Sequence, residues 1–341
     1  MGSENRAAWL HAKGERLKVG DAPMPHASEG EIVIRNRAIA INPVSCKIQA
    51  KGIVAKTWPV ILDDDVAGEI HEIGAGVDNF RKGDRVVAFV HGPIDPDTKY
   101  GGFQLYSVAR VGNVAKLPEG VDFAHASVLP IAFNTAIVGL CAPFPKGLGL
   151  PPPSLEDPLP SGKTILIWGA SSAVGMSTSQ VARAAGVRVV AIASPHNFAI
   201  CKSLGAAAVL DYHSNSIVGE TVQAIRATGG DFVGIVDCIS LPEDSFKYCI
   251  PILEELGGGT LGVLDPHAKP NVSNKIGVAH IFGMGEFTHA FYKDYLTPAL
   301  ESGKHKCLPE PMIVGEGLEL LQKGLDILQK GVSGSKVVVT L

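Results

Sequence analysis

The stretch best equipped for chemistry is a turn of small residues, Gly169-Ala170-Ser171-Ser172-Ala173-Val174-Gly175. Small side chains let a phosphate approach the backbone, and a helix N-terminus behind them offers free N–H groups and partial positive charge. Gly169 and Gly175 hold the outer positions of a dinucleotide fingerprint, and Ser172 stands where its middle glycine is expected. Further on, the chain reads Ala193-Ser194-Pro195-His196-Asn197, with no Asp or Glu to take a ribose 2′-hydroxyl. Ser194 and Asn197 can donate to a 2′-phosphate, and His196 and Lys202 can add positive charge, so NADP(H) is expected over NAD(H). Ser194 equally suits the N-cap of the next helix.

Such a site needs a strand before the turn and a helix after it. Ile165, Leu166, Ile167 and Trp168 are apolar without alternation, as in a strand buried on both faces. Val174, Thr178, Val181, Ala182 and Ala185 recur at helical spacing, and Gly186 stops the helix. Residues 188–193 then supply a second buried strand, which completes a βαβ unit. Strands and helices alternate over residues 163–263, whereas residues 6–120 are β-rich, with strands expected at 32–40 and 85–90. Residues 266–285 read as irregular, 315–329 as a helix and 335–341 as a terminal strand. The proline-rich stretch 143–160 reads as a surface loop. It either blocks pairing at a sheet edge, which favours a monomer over a homodimer, or docks a partner in polyproline form.

With 341 residues, 46% hydrophobic and 19% charged, the chain has the composition of a globular protein of one or two domains. Thirty Lys and Arg against 34 Asp and Glu leave a net charge of −4, with no basic footprint for nucleic acid or an anionic membrane. Six cysteines without a CxxC pair point to neither a zinc ribbon nor a disulfide framework. The start has no apolar signal core and no run is read as long enough to span a membrane, so a cytoplasmic protein is expected. Asp63-Asp64-Asp65 reads as a solvated turn, with a hard-cation site as the alternative. His267, His280 and His289 fall near Phe282, Phe287 and Phe291, either in an apolar substrate lid or as histidines without chemistry.

Several stretches together resemble the medium-chain dehydrogenase/reductase superfamily. They are EIGAGVDNFRKGDRVVAF from Glu72, GGFQLYSVA from Gly101, the ASSAVG turn, KSLGAAAVLDY from Lys202 and GLDILQKGVSGSKVVV from Gly324. Within it the chain is most similar to the zinc-independent, fungal enoyl-reductase-like branch, which includes stand-alone enoyl reductases serving polyketide synthases. The resemblance implies an α/β fold: a doubly wound Rossmann domain that binds NADP, at 126–269, and a GroES-like catalytic domain from both chain ends, at 1–125 and 270–341.

The resemblance also implies site residues. Asn42, in AINPVSCK, stands where zinc-dependent members place a Cys, and Asp64 where they place a His. Asp and Asn do not replace the nitrogen and sulfur ligands that zinc prefers, and no metal is expected. Lys47 lies where related enoyl reductases have a functional Lys, and Thr135 on the segment that flanks the nicotinamide. Lys47 is either a donor to the developing enolate or a surface lysine, and Thr135 either a donor or a helix hydroxyl bonded to a carbonyl. Asn42, beside Pro43, either orients the ribose and nicotinamide or caps a turn. Tyr212 matches a position that contacts the 2′-phosphate, or is a sheet-edge tyrosine. Cys238 and Ile239 end a strand where the cofactor ribose passes, and Leu264 offers its backbone to the carboxamide. Lys336 matches a lysine of the terminal signature, or is a surface charge.

Three functions follow. The first is NADPH-dependent reduction of the C=C bond of an α,β-unsaturated carbonyl, free or carried as an enoyl thioester, with a polyketide synthase as partner. The others are a quinone or carbonyl oxidoreductase, and a non-catalytic NADPH-binding protein.

Overall fold

Both ends of the chain fold into one β-rich unit in the computed structural model, which describes residues 4–341. This unit holds the residues up to Ile131 and Tyr292–Leu341, and a second unit holds Ala132–Phe291. The first begins with β1 (Asn5–Leu10), β2 (Lys18–Ala22), β3 (Glu31–Ala40), α1 (Pro43–Lys51), β4 (Val60–Ile61) and β5 (Asp65–Ile73). It continues with β6 (Arg85–Phe89), β7 (Tyr106–Arg110), β8 (Val114–Lys116) and α2 (Phe123–Ser127). Helix α3 (Pro130–Cys141) leads into the second unit, with β9 (Lys163–Trp168), α4 (Ala173–Ala184), β10 (Arg188–Ala193), α5 (Phe198–Ser203) and β11 (Ala208–Asp211). After these come α6 (Ile217–Thr228), β12 (Asp231–Asp237), α7 (Lys247–Glu255), β13 (Gly259–Val263), β14 (Ile276–His280) and α8 (His289–Phe291). The first unit closes with α9 (Thr297–Glu301), β15 (Glu310–Glu316), α10 (Leu321–Gln329) and β16 (Ser335–Thr340).

In the first unit a sheet ordered β15-β16-β3-β5-β6-β8, with β7 also on β3, packs with a small sheet ordered β2-β1-β4 around Leu10, Ile34, Ile39, Leu62 and Phe103. The second unit is one parallel sheet ordered β11-β10-β9-β12-β13-β14. Leu166 on β9 stands between Val190 on β10 and Ile235 on β12, and all three side chains are buried. The unalternated apolar runs therefore fill a sheet covered on both faces. The chain runs outward from β9 through β10 to β11 and then crosses back to β12 on the other side of β9, so β9 borders the topological switch point where doubly wound sheets take ligands.

Four expectations need correction. Residues 266–285 are not wholly irregular: β14 pairs with β13, Leu261 beside Val278. The second boundary accordingly falls after Phe291 and not after residue 269, and the first after Ile131 and not after residue 125. The helix expected at 315–329 begins only at Leu321, because β15 uses residues through Glu316 to pair with β16. The stretch Phe123–Cys141 is long and apolar enough to cross a membrane, and it lies mostly buried, which explains an apolar surface all round.

The proline-rich loop is held in place at several points. The Pro145 carbonyl accepts the His280 N–H at 3.1 Å on the outer edge of β14, and the Phe144 ring lies over Gly277. Leu148 and Leu150 are buried, and the Ser154 and Ser161 N–H groups donate to the Ala184 and Gly186 carbonyls.

Candidate nucleotide turn and buried carboxylates

The turn after β9 is drawn tight by its two glycines. Gly169 takes φ +74°, and a Cβ on Gly175 would lie 2.5 Å from the Gly169 carbonyl oxygen. Only glycine lets α4 start this close to the strand. Ser172 is the N-cap of α4, and its hydroxyl accepts the Gly175 N–H at 3.0 Å. A serine at the middle position thus does a capping task that glycine cannot do as well. Ser171, Ala173 and Val174 are half-buried, and the first-turn N–H groups beside them have no acceptor within the helix. This cradle fits a pyrophosphate.

The ends of β10 and β11 bring a second group together. Ser194 precedes a helical turn but makes no capping bond. Its hydroxyl donates instead to the Tyr212 hydroxyl at 3.3 Å. Tyr212 is 39% exposed, its ring lies tilted against that of His213 with centroids 4.0 Å apart, and His213 is paired with Asp211 at 2.7 Å. His196 is exposed and touches Asn197, which is buried. Ser194 and Tyr212 are therefore neighbours, and His213 joins them. The sequence reading passed over His213, although it follows Tyr212 directly.

The end of β12 is organised by Asp237, which is fully buried. Burial raises its pKa, against hydrogen bonds from Ser245 at 2.6 Å and from the Ser240 and Ile239 N–H groups at 3.0 Å. These bonds fold Cys238-Ile239-Ser240 into a turn with Ser240 at φ +58°. Ile239 is exposed, and burial pushes the half-buried Cys238 thiol far up. The Ser240 hydroxyl accepts the Leu264 N–H at 2.8 Å. That N–H is thus taken, which leaves the carbonyl as Leu264's backbone offer. Thr135, on α3, is 8% exposed, and the chain passes over it at Gly283, where a Cβ would lie 2.7 Å from the Thr135 hydroxyl oxygen.

In the first unit, Asn42 is the N-cap residue of α1 without a side-chain cap bond, and Pro43 opens the helix. Ser45, Ile48 and Gln49 form the buried face of α1, and Lys47 is exposed on another. Asn42 turns inward and donates to Asp63 at 2.9 Å.

The three aspartates overturn the reading of a solvated turn, since all are buried. Asp63 has φ +74°, and its Oδ1 accepts from Asn42, from the Asp64 N–H at 2.9 Å and from Ser45 at 3.4 Å. Burial, with the Asp65 charge nearby, pushes the Asp63 carboxyl up to about 7. Burial also holds Asp64 well above the carboxylate range, with Asp63 and Asp65 adding to it. Asp63 Oδ2 and Asp64 Oδ1 have no hydrogen-bond partner. Asp65 accepts from Lys336 at 2.5 Å and from the Ile131 N–H at 2.8 Å, and Lys336 also donates to the Val128 carbonyl at 3.2 Å. Lys336 is therefore no surface charge, being 5% exposed and ion-paired. The signal was present: an acidic run set between Val60-Ile61-Leu62 and Val66-Ala67 interrupts a buried strand pattern.

Among the described residues no three His, Cys, Asp or Glu side chains gather as metal ligands. Asn42 is engaged with Asp63, and Asp64 brings neither nitrogen nor sulfur, so these residues do not fit a zinc ion.

Comparison with known proteins accounts for this arrangement. The alcohol dehydrogenase GroES-like domain matches residues 28–119, and the zinc-binding dehydrogenase domain matches residues 173–264. The chain is 41% identical to the dehydrogenase orsE of Emericella nidulans over 99% of both chains. It is 36% identical to the trans-enoyl reductase himH of Aspergillus japonicus, over 99% of this chain and 97% of that one. The CurK enoyl reductase has the same fold, with a TM-score of 0.76 at 19% identity over 99% of both chains. Members of this superfamily generally bind a nicotinamide cofactor, for which the turn after β9 is built. The chain belongs to the medium-chain dehydrogenase/reductase superfamily and is an oxidoreductase of its GroES-like and Rossmann architecture.

Proposed function

We propose that the protein uses NADPH to reduce the C=C bond of an α,β-unsaturated carbonyl, free or held as an enoyl thioester on a carrier of polyketide assembly. The observation that carries this reading is the donor set at Asn42 and Asp64, where zinc-dependent relatives have metal ligands. A carbonyl has no Lewis acid there, and conjugate reduction needs none. The likeness to himH, whose name is trans-enoyl reductase, supports the same choice.

When bound, the nicotinamide supplies a hydride to the β-carbon. Gly169 to Gly175 hold the pyrophosphate, and Ser194 with Tyr212 and His213 receive the 2′-phosphate. An Asp at residue 194 would repel that phosphate, and none is there. The Thr135 hydroxyl is proposed to donate to the oxygen on which enolate charge develops. Lys47 is proposed as a cationic donor in the same reaction, and its exposure keeps the surface-lysine alternative testable. A cytoplasmic location and a monomeric state complete the proposal, the second because Pro145 occupies the edge of β14.

The test is NADPH oxidation with crotonyl thioesters, enones, quinones and aldehydes. Turnover of thioesters or enones above quinones and aldehydes is expected, and the reverse order sinks the proposal. Removing one preorganised donor typically lowers turnover about 10²–10³-fold. Lys47→Ala should do so at saturating substrate with NADPH affinity little changed. Unchanged kinetics would place Lys47 outside the chemistry.

A further inference from the structure

We propose that a groove on the second unit receives the phosphate-bearing pantetheine arm of a thioester substrate, an inference that rests on the enoyl-thioester reading above. The groove has a volume of about 540 Å³ and lies between the loop after β12 with the start of α7 and the loop after β13. That is the size of a small-molecule cleft. Its floor is apolar, with Leu241, Phe246 and Ile250, and Leu241 stays 45% exposed. Leu241 thus extends the apolar floor to the open side of the groove.

Its rim is basic. Lys247, His267 and Lys269 line it and all three are exposed. Among the described residues neither lysine has a carboxylate partner, and the Lys247 ammonium is 5.0 Å from the Tyr248 ring centroid. The one acid in the lining, Asp265, accepts the His267 N–H at 2.9 Å and so folds the loop that carries the cations. An apolar trough with two lysines that have no carboxylate partner at its mouth complements a ligand with a neutral, partly apolar body and an anionic end. A pantetheine arm ending in a phosphate has that form, and a fully polar anion does not use the floor.

The position of the groove decides in favour of a substrate arm. Ser240 lines it, and the same Ser240 hydroxyl holds the Leu264 N–H at the end of the parallel sheet. The arm would therefore be held beside the sheet end at which doubly wound folds bind their ligands.

The test compares crotonyl-4′-phosphopantetheine with crotonyl-pantetheine, which differ only in the phosphate. The parent protein should show a KM about tenfold lower for the phosphorylated thioester, since charge-assisted contacts to one phosphate carry about that effect. Lys247→Glu combined with Lys269→Glu should abolish the preference, with the melting temperature showing that the variant is folded. Equal KM values in the parent, or a preference that survives in the double variant, overturn the inference. Crotonyl-coenzyme A and a crotonylated carrier protein separate the two sources of the arm: the one whose KM rises in the variant is the source, and a rise for neither overturns the inference. If no enoyl compound is reduced, the reductase reading falls, and calorimetric binding of phosphopantetheine against pantetheine still decides the groove. Tighter binding of the phosphorylated arm, lost in the double variant, supports it, and equal binding overturns it.

Discussion

Gly169 and Asp63 share one backbone φ, +74°, in two different units. Glycine adopts it without strain. Asp63 adopts it at a cost of about 1–3 kcal/mol, and it is buried with a carboxyl raised to about 7. The nucleotide turn is thus relaxed and half-open, and its polar groups await a ligand. The aspartate turn is strained and closed: Asp63 Oδ1 and the Asp65 carboxylate are held by Asn42, Lys336 and backbone N–H groups, while Asp63 Oδ2 and Asp64 Oδ1 are buried without a partner. Binding needs donors left open to a ligand, whereas the polar groups of the aspartate turn are closed off inside the unit.

The largest expected effect breaks the closed side. Lys336→Met leaves Asp65 as a buried charge without its cation, which typically costs about 3–5 kcal/mol. Urea denaturation should show that loss, and a change under about 1 kcal/mol would rule out the pair as a main support of this turn.

Next is Asp63→Asn, where the sign is opposite. Asp63 has a folded pKa above its unfolded value, so its contribution is present below about pH 4 and is lost as pH rises through about 7. Asn takes the same hydrogen bonds at Oδ1 without a charge and tolerates a left-handed backbone better. The variant should gain roughly 2–4 kcal/mol on the parent between pH 4 and pH 8. Chemical denaturation at both values checks this, and a gap independent of pH rules it out.

On the open side, Gly175→Ala forces a methyl against the Gly169 carbonyl. Overpacking of this kind costs about 1–3 kcal/mol, and NADPH affinity should fall as the turn opens. Retained stability and affinity would show that the helix start can shift freely. Smallest is Ser194→Asp, which sets a carboxylate beside the 2′-phosphate. NADPH binding should weaken about tenfold, roughly 1.4 kcal/mol, while NADH binding changes little. Equal weakening of both dinucleotides in a fluorescence titration would remove Ser194 from the phosphate site.

The same contrast separates what was legible in the sequence from what was not. β9, α4 and β10 could be read almost to the residue, because apolar runs, helical spacing and Gly186 act locally. Ser194 and Tyr212 were each found, but their contact, and His213 beside them, depends on β10 and β11 pairing in parallel. β14 escaped notice because a glycine-bearing edge strand of five residues has no periodicity to show. The aspartate run was misjudged because charge composition favours water, and the cation that pairs with Asp65 in the interior lies 271 residues away.

The Pro145 carbonyl on His280 has a further consequence. A parallel sheet with a bare last strand can be extended by any chain that offers the right rung. Here the rung at His280 is already filled by the chain's own loop, anchored through Leu148 and Leu150. Another strand can add there only by first unseating that anchor. Shortening the loop would leave that rung of β14 open to another chain.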